Sequence, residues 1–300
     1  MVTEPYRLSV NQAQLVLKKD DTEHKAPVED LGFVILDHPY ISITQAVAQE
    51  LAANNVALIF CGSNHHPVSL MLNLDGNHLQ GELFRQQAEA AETLKKNLWK
   101  QTVEAKIKNQ AALIGQILKL KPNQKGNEAL ARIKRLAQTV LSGDTGNNEA
   151  QAARYYWNVL FGNDFSRERF GDPPNNMLNY GYAILRAATA RSLTGSGLLP
   201  TLGIHHRNRY NAYCLADDIM EPYRPFIDLK VIRLLEEYEL MKDLSKEVRA
   251  RLLEVLQTDA CFTKVTRPLL NALSVTTASL ARCFAGEQKK IEYPALLPEK

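Results

Sequence analysis

The spacing of apolar residues changes once along this 300-residue chain, near residue 85, and that change limits its fold more than any other feature. Before it, short β-branched runs alternate with turn residues, at positions 8–10, 14–17, 32–36, 56–60 and 66–72. Runs of this length bounded by Gly, Asn and Asp predict strands. One short helix interrupts them, with Thr44 placed to cap it and Val47, Leu51 and Ala52 on one face. Asp75-Gly76-Asn77 marks a turn just before the change.

From Glu82 onward the pattern is helical. Leu94, Leu98, Ile107, Ile114, Ile117 and Leu118 recur at helical intervals among good helix formers. Breaks fall at 122–126, at 142–148, in a Gly-, Pro- and Asn-rich loop at 162–176, and at Gly195-Ser196-Gly197. Helix is expected again from about Tyr210 to Phe284, and the polar, proline-bearing tail 286–300 reads as a partly disordered or docking segment. The expected fold class is α+β: a small N-terminal β-rich domain, residues 1–85, then a larger all-helical domain, residues 86–300, segregated rather than alternating.

Composition excludes several classes. The opening MVTEPYRLSV lacks the basic start and apolar stretch of a signal peptide. No apolar run approaches the roughly 18 residues of a membrane span, so a soluble, cytoplasmic protein with no membrane partner is expected. Cys61, Cys214, Cys261 and Cys283 are scattered without a CxxC pair, which argues against a zinc ribbon or a disulfide framework. The formal net charge of +3 conceals a segregation. Eleven Lys and Arg between Lys95 and Arg135 face only Glu104 and Glu128, about +9 locally, while residues 217–259 carry about −4. A basic helical face of that kind is a solvated surface or a track for a phosphate backbone.

Three stretches hold groups capable of chemistry. In NEAQAARYYW, Glu149 opens a helix, where the free amides favour a carboxylate. In LGIHHRN, His205 and His206 follow a Gly-containing turn beside Arg207 and Asn208; the other pair, His65-His66, lies between strands and reads as a loop feature. In LADDIMEPYRP, Asp218 and Glu221 lie three apart and should share one helical face, where two carboxylates repel unless a cation or a proton sits between them. Pro222 should kink or restart the helix there. Two carboxylates and one imidazole from separate segments suit Mg²⁺ or Mn²⁺ rather than zinc, and beside a basic surface they point to phosphodiester chemistry.

The strings NEAQAARYYW, LGIHHRN and YNAYCLADDIMEPYRPFID, in that order behind a DHPYISIT–FCGSNHHP passage, resemble the CRISPR-associated integrase and endonuclease, the larger of the two spacer-acquisition proteins. The wording is most similar to members from type II systems, and the likeness covers essentially the whole chain. It implies a metal triad of Glu149, His206 and Glu221, with catalysis by the same three residues. Gly203-Ile204-His205-His206 matches the family's Gly-x-x-His at His206, with His205 the second choice, and Asp218 as neighbour to Glu221. It also implies a Mg²⁺ or Mn²⁺ cofactor and transesterification, in which the 3′-OH ends of a foreign DNA fragment are joined into the CRISPR repeat array. The implied partners are double-stranded DNA (protospacer and repeat), a second copy of the chain through the β-rich domain, and the small second spacer-acquisition protein. Lys95, Lys96, Lys100, Lys106, Arg154 and Arg207 are the candidate backbone contacts. Two other readings stand beside it: a nuclease of the same fold that cleaves without joining, and a nucleic-acid-binding scaffold whose carboxylates pair with Arg154 or Arg224.

Overall fold

The computed structural model describes residues 1–168, 171–238, 244–263 and 265–296. Parts of the expected loop at 162–176, of the expected helix at 210–284 and of the tail at 286–300 lie outside them. The chain opens with β1 (Arg7–Asn11), β2 (Gln14–Lys19) and β3 (Thr22–Pro27), an antiparallel meander, and with β4 (Phe33–Leu36). Then come β5 (Ser42–Ile43), parallel to β1, helix α1 (Gln45–Ala53), β6 (Ala57–Cys61) and β7 (Pro67–Met71). Two sheets result, ordered β3-β2-β1-β5 and β4-β6-β7. All five strands legible in the sequence are present; β3 and β5 are additional. β3 reads TEHKAP and is exposed along most of its length. An edge strand of that kind carries charge instead of an apolar alternation.

The β4-β6-β7 sheet joins the two halves of the molecule, and the period of two in its strands is the reason. Val34, Leu36, Leu58, Phe60 and Met71 face a core with Leu8, Val47 and Leu51. Phe33, Ile35, Ile59, Cys61 and Leu70, one step out of phase, face the helical core. Successive side chains of a strand point to opposite faces, so one short sheet serves both cores.

The helical part contains α2 (Gln80–Glu89), the 29-residue α3 (Glu92–Leu120), α4 (Gln124–Gln138), α5 (Asn148–Phe161) and α6 (Asn175–Gly195). It continues with α7 (Cys214–Met220), a 3₁₀ turn at Glu221–Tyr223, α8 (Arg224–Glu237), α9 (Lys246–Leu253) and α10 (Leu269–Phe284). Helix α6 is buried on nearly every side, its polar Asn175, Thr189, Ser192 and Thr194 included. The helical stretch expected from 210 to 284 is interrupted by a hairpin, β8 (Asp259–Cys261) paired with β9 (Thr266–Pro268).

The described part of the tail is not loose. Residues 287–296 lie along α3 and are stitched to it: Ile291 N–H donates to Gln101 (2.9 Å), the Tyr293 and Thr102 hydroxyls are 2.8 Å apart, and Leu296 N–H donates to Asn109 (3.0 Å). Ala295 also exchanges backbone bonds with Cys261. Over residues 287–296 the polar composition reflects backbone and hydroxyl partners.

Candidate active site

Glu149 reaches its position through a cap that the sequence partly advertises. Asp144 lies in the turn before α5, and its carboxylate accepts from the N–H groups of Asn148 (2.8 Å) and Glu149 (3.0 Å). These are first-turn amides with no partner inside the helix. Asp144 needs a positive φ of 51° beside Gly143 at 72°, which SGDTGNN supplies with small and Asx residues. Asn148 ties the same turn to α4 through Leu136 O and Thr139 Oγ1. Glu149 therefore projects from a doubly anchored helix start.

Asp218 and Glu221 do different work from that of a shared pair. Helix α7 stops at Met220, Pro222 occupies the first turn of the 3₁₀ segment, and the helix resumes at Arg224, the restart its ring demands. Asp218, fully buried, points into the LGIHHRN loop. Its Oδ2 accepts from Ile204 N–H (2.7 Å) and His205 N–H (2.9 Å), and its Oδ1 accepts from His206 N–H (3.2 Å) and lies 2.5 Å from His206 Nδ1. One carboxylate folds the whole loop. Gly203 permits it: a Cβ there would run into the His206 carbonyl and stand 2.8 Å from Asp218 Oδ2. Asp217 turns elsewhere, into a bidentate pair with Arg186 (2.6 and 3.0 Å).

The two histidines, edge to face at 5.2 Å, are thereby given different partners. His205 stacks on the buried Trp99 of α3, centroids 4.1 Å apart and planes 3° from parallel. Partial burial and the neighbouring His206 lower its pKa. In His206, hydrogen bonding to Asp218 raises the pKa against the opposing effect of burial. A carboxylate behind Nδ1 leaves Nε2 as the ring nitrogen open to a ligand, the arrangement that orients metal-bound histidines.

Glu221 and Glu149 meet on one cation, and that cation is a lysine. Lys106 Nζ lies 2.5 Å from Glu149 Oε1 and 2.5 Å from Glu221 Oε2, so the two oxygens are no more than about 5 Å apart. Arg224 lies 2.9 Å from the other Glu221 oxygen, and its guanidinium also covers the Tyr182 ring at 4.7 Å. Burial would raise the Glu221 pKa, but the Arg224 and Lys106 charges overcome it and hold it low. Burial likewise opposes the Lys106 charge, and Glu221 with Glu149 hold its pKa above the usual value. Lys106 is buried, so it cannot be the surface DNA contact its place in a basic stretch suggested. Of the other basic candidates, Lys96, Arg154 and Arg207 are exposed and Lys95 and Lys100 half-exposed; Arg207 pairs with Glu92 at 2.5 Å.

The donor set fits a hard divalent cation. Two carboxylates from distant segments already share a positive partner, Glu221 Oε2 is buried without an aligned hydrogen-bond donor, and a nearby imidazole is braced by Asp218. Among the described residues, no three His, Cys, Asp or Glu side chains come together as a preformed metal cage. The two acids converge and His206 remains outside that contact. Lys106, Asp144 and Trp99 are the participants that motif reading missed; only the Asx-rich turn before Glu149 carried a signal for any of them.

A model of the family described as CRISPR associated protein Cas1 matches residues 1–265. The chain belongs to the Cas1 family. It is 35% identical over 296 residues to the CRISPR-associated endonuclease Cas1 of Neisseria meningitidis serogroup C (strain 8013), covering 98% of this chain and 94% of that one. Among solved structures, a casposase bound to integration product superposes with a TM-score of 0.79 at 20% identity, over 98% of this chain and 93% of that one. A Cas6-RT-Cas1–Cas2 complex superposes with a TM-score of 0.72 at 21% identity, over 96% of this chain and 35% of that one. Both show that the α+β architecture is that of Cas1 and the casposase. Among the described residues of this Cas1 chain, no helix is long and apolar enough to cross a membrane.

Proposed function

We propose that this chain is a metal-dependent DNA integrase and endonuclease of CRISPR adaptation, which joins the 3′-OH ends of DNA fragments into a repeat array by transesterification. The observation that carries the reading is the convergence of Glu149 and Glu221, 72 positions apart, on a single cation beside an imidazole braced by Asp218. Two comparisons support it: the Neisseria relative is named an endonuclease, and the casposase was captured on an integration product.

Glu149, Glu221 and His206 would hold Mg²⁺ or Mn²⁺. Bound there, the ion supplies Lewis-acid polarisation of a phosphodiester and stabilises charge on its oxygens. The chain's own residues set the geometry. Asp144 fixes the helix that carries Glu149, Asp218 fixes the ring of His206, and Arg224 holds the second oxygen of Glu221. Lys95, Lys96, Lys100, Arg154 and Arg207 are the groups for the DNA backbone, contacts that position a duplex without reading its sequence. The proposed assembly is a homodimer through the β-rich domain, residues 1–85, bridged by the small second spacer-acquisition protein; the Cas1–Cas2 complex among the structural neighbours supports that partner. The proposed compartment is the prokaryotic cytoplasm.

Joining of duplex ends to a repeat-containing plasmid tests the site. Glu149→Ala, His206→Ala and Glu221→Ala are each expected to abolish joining while the chain stays folded. Full joining by all three removes the site. Cleavage without joined product in the wild type selects the plain nuclease, and DNA binding with no Mn²⁺ uptake selects the scaffold.

A further inference from the structure

We propose that Lys106 is an internal counter-cation that a divalent ion must displace, so that metal uptake here is an exchange of one cation for another; this rests on the reading of Glu149 and Glu221 as metal ligands. Lys106 extends from the middle of α3 with its side chain 11% exposed, and Nζ touches one oxygen of each acid at 2.5 Å. Among the described residues Nζ has no other partner. An ion held by the same two oxygens would need the volume the ammonium fills.

Charge leads to the same result. Two carboxylates face two cations, Lys106 and Arg224, so the cluster is balanced as it stands. A divalent ion added without loss of a cation would leave two uncompensated positive charges in a largely buried place, which is unfavourable. Arg224 is the poorer one to leave, because its guanidinium is also held over the Tyr182 ring. Lys106 has a flexible four-carbon stem and a compact charge that rehydrates readily. While it stays, it keeps the buried Glu221 and the half-buried Glu149 from repelling each other; when it withdraws, they become available together. The exchange accounts for a site whose acids converge although, among the described residues, no three potential ligands form a cage.

Two measurements with Mn²⁺ as the probe test the exchange in the full-length chain. In the wild type, acetylation of Lys106 by an amine-reactive ester, mapped by mass spectrometry, is expected to rise severalfold when Mn²⁺ is added. Lys106→Met keeps the stem and removes the charge. It is expected to melt lower without metal and to bind Mn²⁺ about tenfold tighter by titration calorimetry, equivalent to about 1.4 kcal/mol. Constant or falling Lys106 labelling on Mn²⁺ binding overturns the proposal, as does a folded Lys106→Met chain that binds Mn²⁺ no tighter. If that variant does not fold, the wild-type labelling decides. Glu149→Gln with Glu221→Gln separates the two claims. Wild-type Mn²⁺ affinity in that double variant refutes the ligand reading itself, whereas lost affinity together with unchanged wild-type labelling refutes only the exchange.

Discussion

Asp218→Asn changes almost no volume and removes a charge that four nitrogens share. Oδ2 takes two backbone N–H groups, and Oδ1 takes one more together with the His206 ring. An asparagine offers one oxygen. If that oxygen serves Ile204 and His205, the amide NH₂ faces the His206 N–H and forces Nδ1 to accept. If it serves His206, the NH₂ faces two backbone donors. The first orientation leaves one donor without its acceptor and the second leaves two, at about 1–3 kcal/mol each, so the expected loss is about 1–4 kcal/mol of unfolding free energy. In the first orientation the imidazole proton moves to Nε2, which removes the nitrogen left for a metal, and disturbing such a brace typically lowers affinity about 10–100-fold. Urea denaturation checks the first effect and Mn²⁺ calorimetry the second. A variant with the wild-type urea midpoint and wild-type Mn²⁺ affinity would refute the claim that Asp218 organises the loop and aims His206.

Two further outcomes follow from buried polar groups behind the site. Asp228 lies between the Tyr156 and Tyr182 hydroxyls (2.6 and 2.5 Å), and burial raises its pKa from 3.8 to about 6 despite those bonds. A raised carboxyl stabilises fully below its unfolded pKa, and that contribution is lost as pH rises through about 6. Wild-type stability measured against Asp228→Asn should therefore fall by up to about 3 kcal/mol between pH 4 and 7; a pH-independent difference in urea unfolding sinks the assignment. Asn109, also buried, donates to Pro222 O (2.7 Å) and Pro294 O (3.1 Å) and accepts from Leu296 N–H. Asn109→Ala should cost about 2–4 kcal/mol and free the tail to limited proteolysis, and an unchanged cleavage pattern would show that the tail is held elsewhere.

Much of this was legible in advance, for identifiable reasons. Strands β1, β2, β4, β6 and β7 bury apolar, largely β-branched runs on one face or both, and the long helix α3 buries apolar residues at helical intervals, so burial leaves a trace in the residues. Strand β3 buries almost nothing and left no such trace. The β8-β9 hairpin is only three residues on each side, too short for a period to show. The tail looked loose because its bonds run to Gln101, Thr102 and Asn109, about 190 positions away in the chain.

The candidate site divides along the same line. Residue type and order alone determined that acids at 149 and 221 and imidazoles at 205 and 206 were present, that Pro222 would interrupt a helix, and that the motifs stood in a family's order. Those are properties of short segments. Which carboxylate meets which partner was decided only by the packing of α3 against α5 and the turn after α7. That packing sends Asp218 into the histidine loop, stacks His205 on Trp99, and carries Lys106 out of an apparently solvated basic face to lie between two acids. Local sequence sets where a side chain starts along its element. The energy of burying a charge, which depends on every neighbour at once, decides where it ends.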